Sequence, residues 1–307
     1  MHAPLTGVIP PIVVPLTDSR ELDIASFERL INRMIEAGVH GLFFLGSSGE
    51  VVFSPDHLRK QILHEGIRIV NGRVPVLAGV IDTETPRVIE QAKRIKDMGV
   101  DALVATAPFY ALGGPAETQR HFELIREAVD MPLFAYDIPV CVHQKLDYRM
   151  LVQLGKDGVL DGVKDSSADD VSFRMMVLEN QRQGRPLSLL TGHEVVVDGA
   201  YLSGADGSVP GLANVDPHGY VRMWDAFQRG DWQSVRTEQD RLALLMRITM
   251  VVRSTVGFGA GIGAFKTALQ QLGVFTTNQM PLPVAQLQGE EITWIRQVLV
   301  QAGLIDE

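Results

Sequence analysis

From its start to about residue 230, the chain alternates short apolar runs with longer stretches in which apolar residues recur every three or four positions. The short runs cover residues 8–14, 41–45, 74–78, 102–105, 133–136, 158–164, 187–190 and 207–209. They are too uniformly apolar to leave one face in water, which predicts strands of a parallel sheet covered by helices. Between them, residues 23–37 place Ile24, Phe27, Leu30, Ile31, Met34 and Ile35 on one stripe, the spacing of a helix packed on a core. Residues 55–70, 86–98 and 115–129 behave similarly, each with Pro at or near its start, where a missing N–H costs least. Turns at Ala37-Gly38-Val39, Met98-Gly99-Val100 and Met131-Pro132 stop a helix ahead of the next strand.

Eight strand–helix units favour closure into a (β/α)8 TIM barrel, within residues 1–230, over an open doubly wound sheet. Beyond residue 230 the rhythm changes. Residues 232–252, 263–272 and 289–301 read as helix with no strand between them. Residues 231–307 are therefore expected to be a C-terminal helical extension packed on the barrel, the whole forming one structural unit.

Composition narrows the functional classes. With 307 residues, 46% of them apolar and 21% charged, the chain can bury a large core and is neither disordered nor collagen-like. The net charge of −9, with no Lys/Arg block, argues against a nucleic-acid partner. The single cysteine, Cys141, excludes an intrachain disulfide and fits a reducing compartment. The segment Met1-His2-Ala3-Pro4-Leu5-Thr6 has no cationic stretch leading into an apolar one, as a secretory signal has. No apolar run approaches the roughly 20 residues of a membrane span. The expectation is a cytoplasmic protein with no membrane partner.

In such a barrel, chemistry gathers where strands end at their carboxyl side. The second run leads into Gly46-Ser47-Ser48-Gly49-Glu50, whose glycines permit a sharp turn and whose N–H and hydroxyl groups suit a carboxylate or phosphate. The fourth leads into Phe109-Tyr110, and the fifth ends at Tyr136-Asp137-Ile138-Pro139. The sixth closes on Lys164. Burial there disfavours the ammonium and leaves an amine able to attack a carbonyl. The alternative is a lysine that snorkels to the rim or pairs with Asp165 or Asp161. Together the elements describe a Schiff base between Lys164 and a 2-keto acid, its carboxylate held by the Gly46–Glu50 loop and its protons moved by Tyr136.

These segments resemble the dihydrodipicolinate synthase/N-acetylneuraminate lyase family of class I aldolases, over essentially the whole chain. The resemblance is carried by Gly7-Val8-Ile9-Pro10 with Pro15-Leu16-Thr17, by Gly46–Glu50, by Tyr136–Pro139, by Gly162-Val163-Lys164-Asp165-Ser166-Ser167 and by residues 204–214. It implies that Lys164 forms the imine, that Tyr136 is the acid/base, and that Ser47 links it to Tyr110. It also implies that this Tyr110 comes from a neighbouring copy, hence a homo-oligomer, dimer or tetramer. Ser48 and the Val209 backbone would hold the pyruvate portion, without a metal or organic cofactor. Ser166, Gly192 and Glu194 fall where sugar-acid lyases of the family meet substrate hydroxyls.

Three departures qualify the resemblance. Cys141 stands where dihydrodipicolinate synthases place an Arg for the second substrate's carboxylate, and a thiol cannot make that bidentate contact. Asp137 replaces an Asn, and Ala168 a Gly. The expected activity is a lyase that cleaves or condenses a C–C bond between pyruvate and an aldehyde, with keto-deoxy sugar acids as candidate substrates. The alternatives are 4-hydroxy-tetrahydrodipicolinate synthase and a catalytically silent keto-acid-binding barrel. A metal-dependent aldolase lacks the clustered histidines it needs.

Overall fold

The computed structural model describes residues 4–306; Met1, His2 and Ala3, part of the segment read for a secretory signal, and Glu307 lie outside the described residues. Strands β1 (Gly7–Val8), β2 (Leu42–Phe44), β3 (Val76–Gly79), β4 (Ala102–Thr106), β5 (Leu133–Asp137), β6 (Gly162–Asp165), β7 (Ser188–Thr191) and β8 (Gly207–Ser208) pair in parallel, in the order β1-β8-β7-β6-β5-β4-β3-β2. The last seam closes beyond β1. Phe43 N–H donates to Pro10 O at 2.9 Å, and Ile12 N–H to Phe43 O at 2.9 Å. The expected run 8–14 is thus extended chain in which only Gly7–Val8 pairs with β8. Two prolines, Pro10 and Pro11, lack the N–H that a longer ladder needs.

Helices α1 (Ile24–Glu36), α2 (Asp56–Val70), α3 (Thr85–Ile95) and α4 (Pro115–Ala128) follow the first four strands. Then come α5 (Pro139–Val142), α6 (Tyr148–Lys156), α7 (Asp170–Arg182), α8 (Val197–Ser203) and α9 (Pro217–Gln228). The apolar stripe of α1 is buried at Phe27, Leu30, Ile31 and Met34, whereas Ile24 is exposed. Five aspartates cap helices. Asp23, Asp147, Asp169, Asp216 and Asp231 each accept a first-turn N–H, worth about 1 kcal/mol apiece.

The extension comprises α10 (Trp232–Leu245), α11 (Arg247–Met250), α12 (Phe258–Gln271) and α13 (Glu290–Gln301). The expected helix 232–252 breaks at Met246 into two, and the expected 263–272 begins earlier, at Phe258. No helix among the described residues is long and apolar enough to cross a membrane.

The amino-terminal face of the barrel repeats one device four times. A side chain ahead of each even strand accepts an N–H from the odd strand before it. Val8 donates to His40 Nδ1 at 3.2 Å, Val76 to Asp101 at 2.7 Å, Leu133 to Asp161 at 2.9 Å, and Leu189 to Asp206 at 2.8 Å. Burial pushes the His40 imidazole down, against Asp225, so the ring stays neutral and keeps an acceptor nitrogen. Strand starts would otherwise leave these N–H groups unpaired.

Asp161→Ala is expected to cost about 1–3 kcal/mol in urea unfolding by stranding the Leu133 N–H, without altering chemistry at the opposite face. A loss of ligand binding that exceeds the loss of stability would show the two faces are not independent.

Candidate active site

Lys164, from β6, is only 5% exposed, and its side chain points into the barrel. Its Nζ lies 4.0 Å from the centroid of the Tyr136 ring and 5.0 Å from that of Phe43. The Phe43 and Tyr136 rings meet edge to face at 6.3 Å. Tyr136 and Lys164 are register neighbours on β5 and β6, so alternation turns both the same way. Among the described residues, Lys164 Nζ and the Tyr136 hydroxyl form no hydrogen bond, and Lys164 forms no ion pair. The alternative pairings are taken elsewhere, since Asp161 pairs with Arg126 and Asp165 with Lys145.

The space around this amine is kept by small residues. A Cβ on Gly192 would sit 2.1 Å from Ser166 Oγ and 3.2 Å from Lys164 Cε, so any side chain there displaces the lysine or the serine. Gly46 is required by close approach, since a Cβ would fall 2.6 Å from the Phe43 ring. Contrary to the expectation that glycines make the turn, the left-handed residues around this loop are Leu45 and Glu50, both at φ 56°. The N–H groups of Ser47 and Ser48 donate to nothing within the described residues, which leaves two backbone donors for a ligand.

Glu194 Oε1 accepts the Leu212 N–H at 2.6 Å, and its main-chain O accepts the Tyr220 hydroxyl at 3.1 Å and a hydrogen bond from Gln239 Nε2 at 3.2 Å. Burial pushes its carboxyl up, while the Leu212 N–H and the charge of Lys164 pull it down. A Cβ on Gly211 would touch Glu194 Oε1 at 2.8 Å and Ser48 Oγ at 3.2 Å, so both groups lie against the same face of Gly211. Val209 spends its N–H on Thr191 O at 2.7 Å; its carbonyl accepts nothing within the described residues. Cys141 is exposed; desolvation pushes its thiol up, opposed by the nearby Ser47 hydroxyl and the Lys164 charge.

The structure thus gathers Lys164, Tyr136, Ser47, Ser48, Ser166, Gly192, Glu194 and Val209 at one end of the barrel. Tyr110 stands apart. It is 94% exposed at φ 93°, and neither it nor Tyr136 is hydrogen-bonded to Ser47 within the chain. Among the described residues there is no cluster of three metal-ligating side chains. Ala168, where the family pattern has Gly, sits at φ 57°, in the region that favours glycine.

Sequence reasoning missed a second pair on the same strands. Asp137 and Asp165, the next register neighbours, share Lys145 from the segment between α5 and α6. Asp137 is fully buried and also accepts the Leu146 N–H at 3.1 Å, so it ties down the segment that follows α5. Asp165 accepts the Ser167 N–H at 2.9 Å and hydroxyl at 2.8 Å, and its Oδ2 has no hydrogen-bond partner. Burial pushes Asp137 up to about 6, against Lys145, and raises Asp165 as well. Nothing in the sequence marks Lys145 as their shared partner.

The chain is similar to known proteins over nearly its whole length. A model described as the dihydrodipicolinate synthetase family matches residues 4–302. A 4-hydroxy-tetrahydrodipicolinate synthase from Methanoculleus marisnigri is 27% identical over 299 residues, which cover 97% of this chain and 99% of the relative. The structure of YagE, a prophage protein of the dihydrodipicolinic acid synthase family from E. coli K12 in complex with pyruvate, aligns with a TM-score of 0.93. It is 26% identical, covering 99% of this chain and 100% of that one. A dihydrodipicolinate synthase from Bacteroides thetaiotaomicron aligns with a TM-score of 0.91 at 30% identity, covering 98% of this chain and 100% of its own.

Asp137 generates a test in pH. Its folded value of about 6 lies above the ordinary 3.8, so the folded state binds this proton more tightly than the unfolded chain does. The ionised group therefore subtracts stability above about pH 6, and the penalty fades as pH falls toward 3.8. Asp137→Asn carries no such penalty. Its stability relative to the unsubstituted protein is expected to rise by up to roughly 3 kcal/mol between about pH 4 and about pH 7.5, read by urea unfolding at each pH. A difference that does not vary with pH would refute the assignment.

Proposed function

The chain belongs to the dihydrodipicolinate synthetase family, and we propose that it is a class I aldolase-type lyase acting through a Schiff base on Lys164. The observation that carries this reading is the buried Lys164 side chain, lying beside the Tyr136 ring and paired with no carboxylate.

The Lys164 amine adds to the ketone of a pyruvate-type 2-keto acid. The carbinolamine loses its hydroxyl as water, with Tyr136 returning the proton, and a protonated imine remains. In the cleavage direction Tyr136 then takes the proton of the C4 hydroxyl and the C3–C4 bond breaks. Its electron pair enters the iminium to give an enamine, and an aldehyde departs. The enamine takes a proton at C3, and water releases pyruvate from the lysine. Ser47 and Ser48 N–H groups receive the substrate carboxylate, as such donor pairs receive anions elsewhere. The complex of YagE with pyruvate supports pyruvate as the keto-acid half.

The second half of the substrate meets Cys141, Ser166 and Glu194. These groups suit hydroxyls, which points to a keto-deoxy sugar acid. The name of the Methanoculleus marisnigri relative supports a second reading, 4-hydroxy-tetrahydrodipicolinate synthase. Cys141 weighs against it, because no guanidinium stands there for the second carboxylate. The exposure of Tyr110 supports a homo-oligomer in which a second copy covers it.

Borohydride reduction in the presence of pyruvate is expected to add one reduced pyruvate to the wild-type protein and none to Lys164→Ala, as read by intact mass. Tyr136→Phe should still trap the adduct but lose about 10²- to 10⁴-fold in turnover. An adduct that survives Lys164→Ala would end the proposal. Pyruvate release across a panel of keto-deoxy acids, set against turnover with aspartate semialdehyde, separates the two substrate readings.

A further inference from the structure

The loop that faces Lys164 is held from outside the barrel. Its last residue, Glu50, is 2% exposed, and Lys266 in the middle of α12 is 0% exposed. Lys266 Nζ donates to Glu50 Oε2 at 2.7 Å and to Gln279 O at 3.0 Å. Gln279 is itself fixed, its Nε2 donating to Asp18 O at 3.2 Å and its Oε1 accepting the Met280 N–H at 3.2 Å. Two further contacts join α12 to the site. Phe258 packs on Phe53, just past the loop, with ring centroids 4.9 Å apart. The Phe265 ring closes on Gly211, where an added Cβ would meet it at 3.1 Å and Ser48 Oγ at 3.2 Å.

Two opposite charges in a water-free setting are a poor stabilising device, because desolvation offsets most of their attraction. Burial accordingly pushes Glu50 up and Lys266 down, each opposed by its partner. What such a pair supplies is direction: the ammonium has two acceptors at fixed positions, and Glu50 must reach one end of it from a left-handed backbone at φ 56°. Ser48 lies two residues upstream, so the placement of Glu50 constrains where the Ser47 and Ser48 N–H groups can be.

We propose that Lys266 is a positioning residue which, through Glu50, fixes the loop that receives the carboxylate of the 2-keto acid. Residues of the extension beyond 230 thereby set substrate affinity in the barrel. The inference rests on the Lys164 reading above for the identity of the ligand, but not for the geometry of the loop.

The test compares Glu50→Gln, Lys266→Met and the double variant. Lys266→Met strands a carboxylate in a dry site and is expected to be the least stable of the three. The double variant buries no charge and is expected to recover much of the thermal stability. Its KM for the keto acid should nevertheless stay about 10- to 100-fold raised, with kcat changed far less and full imine trapping at saturating pyruvate. Recovery of both Tm and KM in the double variant would overturn the proposal, leaving the pair as packing alone.

Glu50→Gln, which replaces one oxygen and keeps the shape, covers the case in which the others do not fold. Amide exchange is read in ligand-free protein at Glu50, Val51 and Phe53, whose N–H groups bond to Ser47, Gly46 and Glu50 carbonyls. Faster exchange in Glu50→Gln, confined to these amides, supports positioning; exchange equal to wild type overturns it. Because this readout needs no substrate, failure of imine trapping in wild type would sink the Schiff-base reading while leaving this one to be judged separately.

Discussion

The candidate site depends on one condition: Lys164 forms no ion pair, because the acids near it in sequence or space are turned away or hydrogen-bonded to other groups. Asp161 spends an oxygen on the Leu133 N–H and on Arg126 at the other end of the barrel. Asp165 follows Lys164 directly, yet alternation turns it to the opposite face, where Ser167 and Lys145 take it. Glu194 feels the charge of Lys164 but gives Oε1 to the Leu212 N–H. In the proposed reaction, an ion pair at Lys164 would tie up the amine that has to attack the ketone. The surrounding hydrogen bonds therefore serve chemistry by keeping acids occupied as much as by holding atoms in place.

The same economy separates the two ends of the barrel. At the amino-terminal face, His40, Asp101, Asp161 and Asp206 satisfy strand N–H groups and so contribute to stability. At the carboxyl-terminal face, the Ser47 and Ser48 N–H groups and the Tyr136 hydroxyl have no partner within the described residues. Unpartnered donors cost free energy unless water or a ligand meets them. Their concentration around a single buried amine marks this end as the candidate site.

The barrel was legible because its strands and α1–α4 each carry a local signal: apolar runs of strand length, a three-four stripe, and Pro or Gly at the boundaries. Where the reading slipped, proline chemistry or a local break intervened, as at Pro10-Pro11 and at Met246. Lys164 and Tyr136 were legible because a polar residue closing an apolar run needs an explanation. Lys145 was not, since a loop lysine looks like any solvated one until Asp137 and Asp165 are seen to converge on it. Lys266 left a trace in Ala264-Phe265-Lys266-Thr267-Ala268-Leu269, a cation inside an apolar stretch, but its partner lies 216 residues earlier in the chain. Motifs report strand ends; they do not report which distant helix holds the loop between them.

Charge around the pocket carries the argument from reaction type toward substrate. Near the reacting amine the wall offers a thiol at Cys141, hydroxyls at Ser47 and Ser166, and a carboxylate at Glu194 whose second oxygen remains accessible. An anionic second half would have to approach Glu194 without a guanidinium to offset the repulsion, and it would lose water for no compensating contact. A polyhydroxylated aldehyde brings donors that a carboxylate oxygen can accept and meets no like charge. In the proposed reaction the keto-acid end would be held the opposite way, by the Ser47 and Ser48 N–H groups and by Lys164. Under the function proposed above, the two halves of the pocket would differ in electrostatic preference and favour a molecule that is anionic at one end and neutral but hydroxylated at the other.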